Sequence, residues 1–415
     1  MSESSTILVG LEIGTSKVCA VVGDLAPDGS LNIVGLGQAR SHGVRKGEIV
    51  DAQKAEEDVR QAIAEAEQMA DLELRSVYLG VTGGHVRGFR NHGMHPIASE
   101  GREIKAEDVQ DVLKNAKTVD IPGQNHVIHA IRQHFAVDGQ EGIPDPTGML
   151  GARLEVDVHI VHGKVLRLQN AIRTVKSLQL EVDAIVFNGL ASALALLTTE
   201  QKELGALVID IGGGATEYVL YADGVIRHTG VLAVGGDHVS NDLAQGLKVL
   251  LPRAETLKIE HGAALADPSL KGQTVRIPGE KGLSQQTIKL ENLRRIMSLR
   301  LQEIFQLIAQ DLSQAGPLGY PRAGVFLCGG GARIPQIAKL AEQTLDLPVT
   351  LGKASSVSGL CAALDQPEFA TAIGLVKFGC LQARQPRPRL SFTQAIRTSV
   401  TDTIRSTFGH ILQHA

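Results

Sequence analysis

Tryptophan is absent from this 415-residue chain, and aromatic residues amount to only 3%. Any core must therefore be aliphatic, built mainly from Val, Ile, Leu and Ala. Cysteine is scarce too. Cys19, Cys328, Cys361 and Cys380 are scattered, with no CxxC pair. That argues against a disulfide scaffold or thiolate metal site and leaves them as small core hydrophobes of a reducing compartment. No apolar run approaches the length of a membrane-spanning helix. Met1 to Thr6 is polar and lacks the basic-then-apolar order of a signal peptide, so a cytoplasmic protein is expected. Excess positive charge is also missing: 41 Lys and Arg stand against 45 Asp and Glu, a net charge of -4. No general attraction to nucleic acid follows from that balance. Two common phosphate signatures, GxxxxGK(S/T) and GxGxxG, do not occur.

What is present is length and aliphatic bulk. Hydrophobic residues make up 43% of the chain and charged residues 21%, and 415 residues exceed one ordinary domain, so two or more lobes are expected. The most informative pattern is an internal echo. VGLEIGTSKVCAVV, from Val9 to Val22, has the same build as LVIDIGGGATEYVL, from Leu207 to Leu220. Each is an apolar strand, an acid, a Gly-rich turn with a Thr, and a second apolar strand; Glu12 aligns with Asp210 and Gly14 with Gly212. Two such hairpins predict a duplicated lobe, each copy giving one turn to a shared cleft.

Between the hairpins, Asp51 is placed to cap a helix with apolar positions Val59, Ala62, Ile63, Ala66 and Met69. Val77 to Val81 reads as a strand. Residues 85–163 form a block with its own helix, Lys105 to Val119, and turn signals at Pro122-Gly123 and Pro144 to Pro146, and read as an inserted α+β subdomain. Val165 to Leu178 reads as a helix, Val182 to Phe187 as a strand, and Asn188-Gly189 as a small-residue turn. Ser240 to Tyr320 reads as mostly helical, with a polar loop from Lys271 to Ser284. His126, His129 and His134 invite a metal reading, but strand alternation sends His126 and His129 to opposite faces, so they read as structural.

The turns carry the chemistry. Glycines let backbone N–H groups approach an anion, and a Thr or Ser hydroxyl adds a donor. Gly14, Thr15, Ser16 and Lys17 supply this in the first turn; Gly212, Gly213, Gly214 and Thr216 supply it in the second. Glu12 and Asp210 end apolar strands aimed at the same cleft, where hard carboxylates suit a magnesium ion held through water. A third element, VFLCGGGA from Val325 to Ala332, runs a strand into Gly329, Gly330 and Gly331, a bare backbone able to lie flat against a base or ribose.

This set of elements resembles the superfamily of actin, sugar kinases and heat-shock chaperones. The resemblance implies a two-lobed actin-like ATPase fold of duplicated ribonuclease H-like lobes, with ATP and magnesium gripped between them. It adds VGGD, whose Gly235 and Gly236 would lie near the phosphates, and AETLK, whose Glu255 and Lys258 would meet ribose and adenine. At the place where many relatives carry a water-activating Glu or Gln, this chain has Asn188, heading NGLASA. An amide orients water but takes no proton, and Glu12 replaces the commoner Asp. The expectation is tight nucleotide binding with slow or absent hydrolysis, with Asp210 and Asn188 as the catalytic candidates.

Within that superfamily nearly the whole chain is similar to the FtsA family of bacterial cell-division proteins. The carrying segments are SHGVRKGEIVD (Ser41 to Asp51), VYLGVTG (Val77 to Gly83), the insertion after it, and RLQE (Arg300 to Glu303). The resemblance implies self-assembly into a filament or small polymer, a site at Arg300 and Glu303 for the C-terminal tail of FtsZ, and docking of later division proteins on the insertion. It places the first lobe at 1–84, 164–202 and 345–381, and the insertion at 85–163. The second-lobe base takes 203–240 and 321–344, and a helical subdomain takes 241–320.

The C-terminus has its own signal. From Leu381 onward five arginines face one acid, Asp402, so the tail carries +4 and the rest -8. A linker at 382–390 (QARQPRPR and one further residue) has little to bury. It leads to 391–415, where Phe392, Ile396, Val400, Ile404, Phe408 and Ile411 form one helical stripe. Such a helix suits an anionic membrane surface, and the resemblance implies peripheral attachment to the inner membrane at the division site. The competing placement is a helix docked on the body. The rival from another class is a small-molecule kinase of the sugar-kinase branch, for which no general-base Asp motif is found.

Overall fold

The protein, described by a computed structural model, is defined for residues 6–97, 101–279, 285–316, 318–355, 357–359 and 365–384. Cys361 and the tail stripe of Ile396, Val400, Ile404, Phe408 and Ile411 lie outside the described residues.

The first lobe opens with a meander of β1 (Thr6–Ile13), β2 (Lys17–Leu25) and β3 (Leu31–Arg40), then a small hairpin of β4 (Val44–Arg45) and β5 (Glu48–Ile49). Asp51 accepts a hydrogen bond from the Lys54 N–H at 3.2 Å and caps α1 (Ala52–Ala70). This helix buries Val59, Ala62, Ile63 and Ala66 of the expected stripe, and Ala55 as well, while Met69 in the last turn is exposed; it ends at Asp71 in the left-handed region (φ 54°). β6 (Ser76–Val81) follows.

The insertion comprises β7 (Arg87–Pro96), α2 (Ala106–Lys117), β8 (Asn125–Val137), β9 (Gln140–Ile143) and β10 (Arg153–Lys164). It is an antiparallel sheet in the order β7-β10-β8-β9 with α2 on one face and its own aliphatic core. The chain returns through α3 (Val165–Lys176), β11 (Glu181–Phe187), α4 (Asn188–Leu196) and α5 (Thr199–Leu204). Asn188 and Gly189, expected as a turn, instead begin α4 directly after the strand.

The second lobe repeats the first: β12 (Ala206–Ile211), β13 (Thr216–Ala222) and β14 (Val225–Leu232) form the meander, followed by α6 (Gly236–Leu247) and α7 (Leu251–His261). Next come β15 (Thr274–Ile277), β16 (Gln286–Lys289) and α8 (Leu290–Gln314). Part of the expected polar loop from Lys271 to Ser284 is therefore strand, since β15 lies inside it and pairs with β16. β17 (Val325–Cys328), α9 (Ile337–Leu345) and β18 (Val349–Leu351) complete the lobe; β19 (Ser358–Gly359) then pairs with β3, and α10 (Ala370–Arg384) closes the described chain.

The two sheets have one topology. The order β11-β6-β1-β2-β3 matches β18-β17-β12-β13-β14, an antiparallel meander continued by two parallel strands in each case. The echo read from the sequence is thus a repeat of structure. Two boundaries move. Val349–Leu351 belongs to the second-lobe sheet, so the chain re-enters the first lobe after 351 rather than at 345. The last helix runs through Arg384, which bonds the Gly29 carbonyl at 2.9 Å, so residues 382–384 are helix and not linker.

α10 is buried along most of its length between the first sheet and α4. It reaches them because glycine stands at the crossing: a β-carbon at Gly374 would come within 1.8 Å of the Ala191 carbonyl oxygen. The insertion is tied to both lobes. His129 on β8 accepts from the Phe187 N–H of the first lobe at 3.0 Å, and His159 on β10 meets the Thr229 hydroxyl of the second at 2.8 Å. Burial pushes both imidazoles down to about 3, so they stay neutral.

Candidate functional site

The two Gly-rich turns face each other across a cleft of about 520 Å³ between the lobes. Each is closed the same way, by a bond from its first glycine: Gly14 N–H to the Lys17 carbonyl at 3.0 Å, and Gly212 N–H to the Ala215 carbonyl at 2.9 Å. The lobes meet at the turns. A β-carbon at Gly214 would lie 2.5 Å from the Thr15 hydroxyl and 2.7 Å from the Lys46 Cα, so only glycine permits that approach. The Thr15 hydroxyl also accepts from the Gly47 N–H at 2.9 Å, which brings the β4–β5 hairpin to the cleft edge.

The cleft brings together Glu12, Gly14, Thr15, Ser16, Lys17, Asn188, Asp210, Gly212, Gly213, Gly214, Gly236, Glu255, Lys258, Gly329, Gly330 and Gly331, residues that lie up to 319 positions apart in sequence. Two of the expected phosphate residues do other work. Thr216 is fully buried, and its hydroxyl donates to the Val234 carbonyl at 2.8 Å, so it braces the turn from behind. Gly235 packs on the second turn, where a β-carbon would strike the Gly212 carbonyl oxygen at 2.4 Å. The Lys17 ammonium has partners of its own at the cleft edge. It donates to the Glu368 carbonyl at 2.6 Å and lies 4.2 Å from the centre of the Phe369 ring.

Glu12 and Asp210 end equivalent strands but differ in surroundings. Asp210 Oδ2 accepts from the hydroxyls of Ser192 at 2.7 Å and Thr371 at 2.8 Å. Glu12 Oε2 is buried and has no hydrogen-bond partner among the described residues. Burial pushes the Glu12 carboxyl up to about 7; Lys17 opposes the shift and the Asp210 charge adds to it. An orphaned carboxylate oxygen beside a second carboxylate fits a hydrated divalent cation, whose charge would draw Glu12 back to its ionised form.

The third element splits by role. Gly329 has φ +80°, and a β-carbon there would meet Asp210 Oδ1 at 2.2 Å; the same addition at Gly330 would meet nothing within 4 Å. Gly329 is thus required by the close packing of β17 on Asp210, while Gly330 presents open backbone to the cleft. Glu255 and Lys258 share one face of α7, as expected, and pair at 2.7 Å. Lys258 also donates to the Gly236 carbonyl at 3.1 Å, and Ser240 donates to Glu255.

Sequence reasoning missed Glu217, Thr82, Ser192 and Thr371. Glu217, the register partner of Asp210, is buried in the cleft floor and accepts from the Thr82 hydroxyl of the other lobe. Burial, then the charges of Asp210 and Glu12, raise its carboxyl well above the ordinary range. An acid in an otherwise apolar strand was the signal available. Asn188 lines the cleft with its amide oxygen buried and without a partner among the described residues. Arg300 and Glu303 lie on α8, where Arg300 bonds both Glu303 and Asp242, the latter at 2.5 Å. Among the described residues, no helix is long and apolar enough to cross a membrane.

Residues 207–374 match the family model described as cell division protein FtsA, and residues 83–162 match the SHS2 domain inserted in that family. The cell division protein FtsA of Pseudomonas aeruginosa is 37% identical over 377 residues, covering 91% of this chain and 90% of its own. That of Escherichia coli K12 is 36% identical over 380 residues, 90% of each chain. Among solved structures, the PilM–PilN type IV pilus biogenesis complex aligns with a TM-score of 0.62 at 16% identity, covering 91% of this chain and 99% of its own. MreB5 of Spiroplasma citri bound to ADP aligns with a TM-score of 0.54 at 16% identity, covering 90% and 95%. These neighbours share the actin-like fold.

Proposed function

The chain belongs to the FtsA family of cell-division proteins, and from that premise we propose that it binds ATP with magnesium in the interlobe cleft, self-assembles, attaches to the inner membrane through 391–415 and holds FtsZ there. One observation carries the nucleotide part: two structurally equivalent Gly-rich turns, backed by Glu12 and Asp210, face each other across the cleft. The turns suit the phosphates, Gly330 the adenosine, and Glu255 with Lys258 the ribose and base. Bound magnesium would neutralise phosphate charge. Glu12 and Asp210 would hold its waters, with Ser192 and Thr371 fixing the Asp210 carboxylate.

Asn188 orients water without accepting its proton, and burial with the charges of Asp210 and Glu12 raises the Glu217 carboxyl well above the ordinary range, which disfavours its ionised form. Slow or absent hydrolysis follows, and ATP serves as the closing ligand of the two lobes. Closed lobes favour assembly, and assembly links many weak tail helices into one firm membrane attachment. Arg300 and Glu303 on α8 would receive the FtsZ tail, and the insertion would receive later division proteins.

Vesicle flotation tests both halves of the tether. The full chain, ATP, anionic lipid and a fluorescent FtsZ tail peptide are compared with a chain ending at Arg384, which keeps α10 whole. The expected result is peptide floating only with the full chain. Protein that floats while peptide stays soluble would remove the FtsZ role; a full chain that does not float would remove the membrane role.

A further inference from the structure

A second cavity, about 880 Å³, lies behind the lobes and shares no lining residue with the cleft. α4 and α10 form one wall, α2 and β8 of the insertion a second, and α5 with the β13–β14 turn a third. Its apolar surface includes Leu113, Ile131, Phe135, Leu190 and Ile226.

Two ammonium groups line the same space. Among the described residues, Lys377 on α10 donates to uncharged acceptors: the carbonyls of Leu194 at 3.3 Å and Ala195 at 3.2 Å and the Ser355 hydroxyl at 3.4 Å. Lys202, on α5, has its ammonium 5.5 Å from the centre of the Tyr221 ring. Among the described residues no carboxylate pairs with either. The two acids at the rim, Asp145 and Glu203, are exposed. Burial, then the charge of Lys202, pushes the Lys377 ammonium down to about 8, and burial lowers Lys202 as well. Like charges gathered in a partly buried cavity oppose folding unless an anion joins them.

We propose that this cavity binds an anion of the phosphate-monoester type with an apolar body, its head between Lys202 and Lys377 and its body along Leu113, Ile131 and Phe135. A doubly charged head matches two ammonium groups better than a carboxylate does. Lys377 belongs to the first lobe, and Lys202, at the end of that lobe's return segment, stands on α5, which packs on β13 of the second. The occupant would therefore bridge the lobes from behind, adding to whatever holds them closed in front.

The test is calorimetric titration of the full chain, saturated with ADP, using octyl phosphate, inorganic phosphate and octyltrimethylammonium. Octyl phosphate is expected to bind at least tenfold tighter than either of the others. Lys202→Met and Lys377→Met should each weaken it at least tenfold while ADP affinity stays unchanged. Equal binding of the cationic probe, or parental affinity in both variants, would overturn the site. Inorganic phosphate binding as tightly as the ester would overturn the apolar half. Should Lys377→Met loosen α4 and fail to fold, the more peripheral Lys202→Met decides alone. Lysophosphatidic acid binding tighter than octyl phosphate assigns the head group to a lipid; weaker binding assigns it to a soluble ester.

Discussion

The Thr82 hydroxyl, just past β6 in the first lobe, donates a hydrogen bond to the Glu217 carboxyl on β13 of the second. The two lobes are thereby joined by side chains on the floor of the cleft, between the backbone turns. Thr82→Val removes the donor and leaves a buried oxygen unsatisfied, which is expected to cost about 1–3 kcal/mol in urea denaturation.

Glu217 also sets a pH dependence. Its folded carboxyl titrates above its unfolded value, so its contribution to stability is complete below the unfolded value of 4.5 and is lost as pH rises. Glu217→Gln keeps an oxygen for Thr82 and cannot ionise. Measured without nucleotide or metal, this variant should gain on the parent as pH rises above 4.5; parallel stability curves would refute the upward shift.

The buried histidines act in the opposite direction. His129 and His159 are held neutral down to about pH 3, whereas unfolded histidine charges near 6.5, so the stability of their neutral forms is present above 6.5 and lost as pH falls. From pH 6.5 to 5 each should cost about 2 kcal/mol. His129→Gln, which keeps an acceptor for the Phe187 N–H, should reduce that acid sensitivity, read from denaturation midpoints at pH 7.5, 6 and 5.

At the turn contact, Gly214→Val would drive a side chain into Thr15 and the Lys46 backbone. The lobes would be held apart while each keeps its own core. Nucleotide affinity should fall more than tenfold, measured with a fluorescent ATP analogue, with little change in thermal stability. Gly374→Ala should do the reverse. Its methyl meets the Ala191 carbonyl inside the first lobe, and overpacking there should lower stability by about 1–3 kcal/mol.

The FtsZ-tail reading makes an unusual demand, because Asp242 already holds Arg300 at 2.5 Å. If an acidic peptide uses Arg300, Asp242 competes for it. Asp242→Asn should then tighten peptide binding severalfold and Arg300→Ala should weaken it, as fluorescence anisotropy would report. Opposite or null effects would move the peptide site elsewhere.

Much of the site was legible because its chemistry is backbone chemistry. Phosphate turns need glycine at fixed places, and Gly14, Gly212 to Gly214 and Gly330 stand where local sequence alone put them. Thr216 and Gly235 looked the same in sequence, yet one braces the turn and the other packs behind it. That difference depends on neighbours contributed by Val234 and Gly212. The partner of Lys17 was illegible for the same reason: the Glu368 carbonyl that its ammonium bonds lies 351 residues away.

By itself the sequence determined the duplicated meander, the helix capped by Asp51 and the acids at the strand ends, since each follows from periodicity, turn chemistry and short-range spacing. Only the tertiary structure decided that Glu217 faces Thr82, that Asp210 is held by Ser192 and Thr371 while Glu12 keeps an orphaned oxygen, and that Lys202 and Lys377 share a cavity. Those outcomes depend on which distant side chains share a desolvated space, and solvation and contact across hundreds of residues leave no local pattern to read.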